Sequence, residues 1–420
     1  MMANEKKHQM FYGWYIVAVA FLSVFIAIGV GVFTFGVFFK ELIKEFGWNR
    51  ATLTMASTIF VLIGAVIGPL IGILNDKYGT KKVMITGIIA MGLSLVALYF
   101  LHSLWYLYVM YGLMGIGYCG LYISSMAVVS NWFIKKRGTA TGLMFMGIGA
   151  GGLVLAPLAN YCILTFGWRL TYIILGLITC VITIPAISFF VKTKPEDIGL
   201  LPDGDVAQKI SDRPLSIEGF SSKEAFTTVT FWILVVVFFL FSCGLTGVTI
   251  HLVPYLRDQG FSPTTAANIL GIVCGLSILG RLGFGYLADR IDVRYVTLMS
   301  YSLCIIGLAF LIGVKPSKLI YLIGFIGTYS FSYGGDAALQ PIIVAKCFGR
   351  VAIGTILGYL YVPFSIGLGL WPFLGGYIFD RTNSYQLAFS IYIVSFILAC
   401  VAILFIKIGA WEKNNVKIRG

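Results

Sequence analysis

Apolar stretches of twenty residues or more recur down this chain, and they limit what it can fold into. Between charged or turn-rich breaks they predict twelve spans, at roughly 12–39, 52–74, 83–101, 105–130, 139–164, 170–191, 228–256, 264–287, 295–314, 319–345, 352–379 and 385–406. Hydrocarbon leaves backbone polar groups no water to bond, so segments of this length cross a bilayer as helices. Of the 420 residues 59% are hydrophobic and 11% charged, more apolar surface than a soluble fold can hide. The expectation is an all-α integral membrane protein whose main partner is the lipid bilayer.

A net charge of +13 could point to nucleic acid, but its distribution along the chain points to topology. With the N-terminus inside, the cytoplasmic segments hold 21 of the 30 Lys and Arg and the external segments hold eight. That asymmetry follows the positive-inside rule and puts both termini in the cytoplasm of a cell-membrane protein. The N-terminal MMANEKKHQM runs into the first span with no small-residue cleavage site, so no removable leader is expected. Eight cysteines lie in or beside apolar runs without metal-ligand spacing, as buried free thiols do.

The longest break, 192–227, is polar, contains three prolines and separates six spans from six. It reads as a cytoplasmic linker with a short surface helix between bundles at 1–191 and 228–420. The halves repeat: Gly47, Gly72, Leu74 and Asp76 meet Gly260, Gly285, Leu287 and Asp289 at a constant offset of 213, and Lys77 meets Arg290. Two related six-helix halves predict a pseudosymmetric bundle with its site between them at mid-membrane. A proline in the seventh span, Pro254, is expected to break that helix and open backbone groups to the cavity.

Inside the eighth span stands one charge, Arg281, about 12 Å from the nearer helix end at helical rise. A charge at that depth costs roughly 2.5 kcal/mol or more, so it faces a bundle interior or wet cavity and marks function. Its partner in the repeat is Gly68, so the charge belongs to one half. Guanidinium is a planar fork that stays charged and matches a carboxylate, which predicts a small-anion site. The structural alternative is a permanent pair with Asp336, about 15 Å deep in the tenth span.

Residues 72–82, GILNDKYGTKK, are similar to the signature loop of the major facilitator superfamily, with Gly72, Asp76 and Lys81 at defining positions and an echo at Asp289 and Arg290. That resemblance covers essentially the whole chain. It implies a fold of twelve transmembrane helices in two pseudosymmetric six-helix bundles, and a loop that latches the outward-facing state. More narrowly, YGWYIV (12–17), GIGYCGLY (115–122), NWFIKKRGTATG (131–142) and the buried Arg281 resemble the monocarboxylate porter and oxalate–formate exchanger branch. The branch implies that Arg281 binds the substrate carboxylate. Two departures matter. Exchangers of dicarboxylates carry a lysine in the eleventh span, where this chain has no Lys, Arg or His; one buried cation favours a monoanion. Animal-type porters place an aspartate one turn before the arginine, where this chain has Ser277.

Asp336 is therefore the candidate for proton coupling, expected to pair with Arg281 in the empty site and to take a proton when substrate arrives. The alternative is an acid bonded to neighbouring serines and glycines. His251, six residues before Arg257, is a candidate cavity-lining residue, and the branch resemblance supports that role; satisfied packing is the plainer option. Tyr118 and Tyr122 on the fourth span, and Tyr329 and Tyr333 on the tenth, are paired one turn apart and are candidate hydroxyl donors to substrate. The function expected is proton-coupled symport of a small monocarboxylate such as lactate, pyruvate or acetate by alternating access, in a protein working as a monomer. The alternatives are carboxylate exchange without protons and efflux of larger apolar compounds. Three scattered histidines and unclustered cysteines supply neither a metal site nor a nucleophile with its base, so no enzyme activity or cofactor is expected.

Overall fold

In the computed structural model, residues 11–48, 50–204 and 218–409 are described. The N-terminal stretch and part of the linker discussed above lie outside them. Eleven helices among the described residues are long and apolar enough to cross a membrane. The tenth predicted span is also a helix, Leu319–Phe348, of full crossing length; its middle of Ser, Tyr, Gly and Asp dilutes its apolar character. Helix ends follow local chemistry. Ser103, Thr228 and Ser262 accept the backbone N–H three residues on and start the fourth, seventh and eighth spans. Gly47 and Gly260, one repeat apart, end the first and seventh spans in the left-handed region that glycine enters without penalty.

The first and seventh spans share a second feature. Each widens into a π turn, Gly29–Phe33 and Cys243–Gly247, within one position of the 213-residue repeat. This corrects the expectation for Pro254: the helix Val248–Asp258 runs through it, and the irregular backbone lies about two to three turns earlier. A π turn exposes carbonyls that a straight helix would satisfy. Tyr329 fills one such vacancy by donating to the Gly244 carbonyl.

The halves meet along two glycine-lined crossings. Helix Arg50–Tyr78 lies against Ile353–Thr382 at Gly68, Gly72, Gly354 and Gly358, and Arg137–Phe166 lies against Pro263–Arg290 at Gly138, Gly142 and Gly285. A Cβ on Gly68 would stand 2.9 Å from the Gly358 carbonyl oxygen, and one on Gly72 or Gly138 would collide with the carbonyl of Gly354 or Gly285. Without a hydrophobic driving force between helices in lipid, such close backbone contact supplies the packing. Outward-facing residues stay apolar, among them Trp105, Leu164 and Ile320.

The linker crosses one face of the molecule, called the linker face below. Asp203 accepts backbone N–H bonds from Ile134, Lys135 and Lys136 at 2.8–3.1 Å. Glu196 pairs with Arg350 at 2.8 Å, and Gly219 bridges to Gly349. The surface helix predicted in the linker is Ser222–Thr227, opened by a Ser221–Glu224 capping box. All eight cysteines are free.

Candidate functional site: an unpaired arginine between the halves

Arg281 is 2% exposed. Its Nη1 donates to Ser277 Oγ at 2.7 Å, one turn back on the same helix, and Ser277 Oγ donates in turn to the Cys274 carbonyl. Nε is buried without a partner. Among the described residues no Asp or Glu forms an ion pair with the guanidinium. Tyr333 lies beside it, with Cζ 5.9 Å from the ring centroid. Opposite stands Gly149 of the fifth span, where even a Cβ would sit 3.8 Å from Nη1. A buried cation with open donors and a glycine facing it is arranged for a guest anion.

Aromatic residues continue the wall across the boundary between halves. Tyr118 and Tyr122 stack with ring centroids 5.6 Å apart, and Tyr122 stands 5.8 Å from Tyr361 of the eleventh span. Tyr122 is near enough to Arg281 and Tyr333 to interact with both electrostatically. The Tyr361 and Ser365 hydroxyls are buried one turn apart; Ser365 has no hydrogen-bond partner among the described residues, and Tyr361 is within reach of the Tyr118 hydroxyl. Sequence reasoning missed both. The available signal was a pair of polar residues at i, i+4 spacing in a span lacking Lys, Arg and His.

Three predicted residues fall elsewhere. Asp336 is buried but faces the ninth span, where Ser300 donates to Oδ1 at 2.5 Å and Ser332 reaches Oδ2 at 3.5 Å. The expected Arg281–Asp336 pair is not formed. Helix rotation explains this: Gly334 lies against the Ser277–Arg281 backbone, and two residues further turn the side chain about 200° away. Tyr329 stacks on Tyr333 but spends its hydroxyl on the seventh-span π turn. His251 bonds the Pro372 carbonyl through Nε2 at 2.8 Å and packs against Gly375 and the Tyr385 ring. It supports the eleventh span where Pro372 interrupts the helix ladder, and Thr246 donates to Leu368 O, the carbonyl that the proline leaves unpaired.

The predicted loop residues occupy the linker face. Asp76 accepts backbone N–H bonds from Gly354 and Thr355 at 3.1 and 2.7 Å, at the start of the eleventh span. Its repeat mate Asp289 accepts from Gly138 N and Thr139 N at 2.5 and 2.8 Å, at the start of the fifth. Each carboxylate thus caps the positive end of a helix in the opposite half. Lys81 donates to the Ser188 carbonyl at 2.5 Å within its own half, and Arg290 lies over the Tyr286 ring.

Comparison with known proteins agrees with this architecture. The family model described as Major Facilitator Superfamily matches residues 19–344. An uncharacterized MFS-type transporter of Bacillus subtilis, YcxA, is 25% identical over 400 residues, covering 91% of this chain and 92% of that protein. Monocarboxylate transporter 12 of Rattus norvegicus is 25% identical over 431 residues, covering 96% and 87%. Among solved structures, the proton:xylose symporter XylE superposes with a TM-score of 0.73 at 12% identity, covering 94% of this chain and 96% of that one. FucP, in its outward conformation, gives 0.69 at 15%, covering 93% and 99%.

Proposed function

The chain belongs to the major facilitator superfamily, a family of transporters and not of enzymes, and from that premise we propose that it carries a small monocarboxylate together with protons by alternating access. The observation that supports this most is the buried Arg281 guanidinium, which has no carboxylate partner among the described residues and has donors to spare. A monocarboxylate supplies one negative charge and a planar pair of oxygens for that fork. Tyr333, Tyr122, Tyr118 and Tyr361 enclose the rest of the molecule and offer hydroxyls to its second oxygen or a 2-hydroxyl group. Asp336 carries the proton. The linker face is cytoplasmic in this proposal, since the basic residues concentrate there, and halves 1–191 and 228–420 rock about the site. With Asp76 and Asp289 engaged, the conformation is closed to the cytoplasm. The protein works as a monomer in the cell membrane.

Purified protein in proteoliposomes is expected to take up labelled lactate faster when the outside is acidified, with no anion required inside. Uptake that ignores the gradient but needs internal carboxylate would make the protein an exchanger. One observation favours that second reading: Asp336 is satisfied by Ser300 and does not meet Arg281. His251 and Tyr329 serve as supports in this proposal. His251→Leu is expected to lower the melting temperature by about 1–2 °C while the KM for lactate stays within about twofold, since the lost bond is worth ~1 kcal/mol of folding and none of binding. A rise in KM without loss of stability would return His251 to the cavity wall.

A further inference from the structure

Asp336 has surroundings of its own, on the far side of the tenth span from Arg281. Ser332, Asp336 and Gln340 follow at four-residue spacing and so share one helix face. The ninth span answers with Thr297, Ser300 and Tyr301. Between them runs a crevice of about 10 Å³, lined by Thr297, Tyr301, Asp336 and Gln340 with Val237 and Ile403 of the seventh and twelfth spans. That is room for roughly one water. Asp336 is its deepest residue, and the others lie towards the linker face. Thr297 is one turn from the start of the ninth span, and Ile403 is next to last in the twelfth.

Two features separate the crevice from ordinary packing. Gln340 is 6% exposed, and its amide nitrogen is buried without a hydrogen-bond partner; such a group needs a polar visitor. In addition, the crevice lies within one half, while the gap between halves is closed on this face by the Asp76 and Asp289 contacts. The titratable groups around Asp336 are Cys243 from the seventh span, Tyr301 and Cys304 from the ninth, Cys400 from the twelfth and Tyr329 from its own helix. No Lys, Arg or His among the described residues bonds to it.

We propose that this crevice is the route by which Asp336 exchanges its proton with the linker face, with Gln340 and Thr297 positioning the water that carries it. Proton and substrate then travel by separate paths. In release, the carboxyl O–H bond breaks as an O–H bond forms on the water, and the excess proton leaves to bulk water at the linker face. The charge left on the carboxylate is held by the Ser300 and Ser332 hydroxyls. The proposal rests on Asp336 being the proton carrier.

Infrared spectroscopy of the full chain in lipid tests it without any substrate. The carbonyl band of protonated Asp336 is identified by its loss in Asp336→Asn, and its shift after transfer into D₂O reports how fast deuterium arrives. Gln340→Leu and Thr297→Val are expected to slow that shift by at least about tenfold, equivalent to 1.4 kcal/mol in the barrier, and Gln340→Ser to restore it. Gln340→Leu removes an unsatisfied amide and so should fold. Unchanged rates in both variants overturn the crevice route and leave proton coupling standing. No carboxyl band at any pH the protein survives overturns Asp336 as proton carrier, and this route with it.

Discussion

Arg281→Ala is expected to reduce lactate uptake by at least about 100-fold, because it removes two charge-assisted hydrogen bonds of roughly 1.5–3 kcal/mol each, and 1.4 kcal/mol is a factor of ten. Arg281→Lys keeps the charge but loses the planar fork, so its uptake should fall between the two. The stability of the variant discriminates between explanations. An arginine locked in a structural ion pair would leave a buried orphan carboxylate on removal and cost about 3–5 kcal/mol. Here, among the described residues, the guanidinium meets Ser277, an aromatic face and Gly149, and no carboxylate. Arg281→Ala should therefore melt no lower than wild type, and transport should vanish from a folded protein. Tyr361→Phe provides the graded control: loss of its buried hydroxyl should raise KM severalfold through one neutral bond of ~1 kcal/mol. Full uptake by Arg281→Ala would sink the site.

Closing the linker face should be as sensitive to a methyl-sized change. Gly72→Val and Gly138→Val are each expected to cut transport by more than about tenfold, since a shift of 1.4 kcal/mol between conformations already changes their ratio tenfold. Added Cβ atoms there meet backbone, the Gly354 and Gly285 carbonyls, which cannot rotate aside. The helices must separate, which also pulls Asp76 and Asp289 from the amides they cap. Asp76→Asn keeps the shape and loses the charge, so its effect should be smaller and of the same sign. Spin-label distances across the linker face would show the gap widening in each variant. An unchanged distance distribution in Gly72→Val would remove the crossing from any role in closure.

How much of this was readable beforehand depended on the range of the interaction involved. Arg281, Asp76 and Asp289 stood out because charge inside apolar sequence, and a loop signature repeated at a fixed offset, are local signals. Depth along each helix was readable too, by counting residues at 1.5 Å rise. Azimuth was not. The position of Asp336 correctly predicted a buried acid, yet its facing Ser300 instead of Arg281 is decided by how the tenth span is rotated against the eighth. His251 and Tyr329 fail as cavity residues for a similar reason: the carbonyl of Pro372 and one in the π turn of the seventh span take their polar atoms. Pro254 misled because a proline predicts a kink only when nothing nearby relieves the ladder first.

Sequence by itself determined the membrane class, the helical spans, their division into six and six, the repeat and the single deep cation. All of these follow from hydrophobic length, charge count and periodicity, which are properties of the chain before it packs. Only the tertiary structure decided that Arg281 meets no carboxylate among the described residues, that Tyr361 joins the wall around it, and that each latch carboxylate caps a helix of the opposite half. Those facts depend on which faces meet when backbones approach through glycine, and a helix shows every face to its own sequence equally.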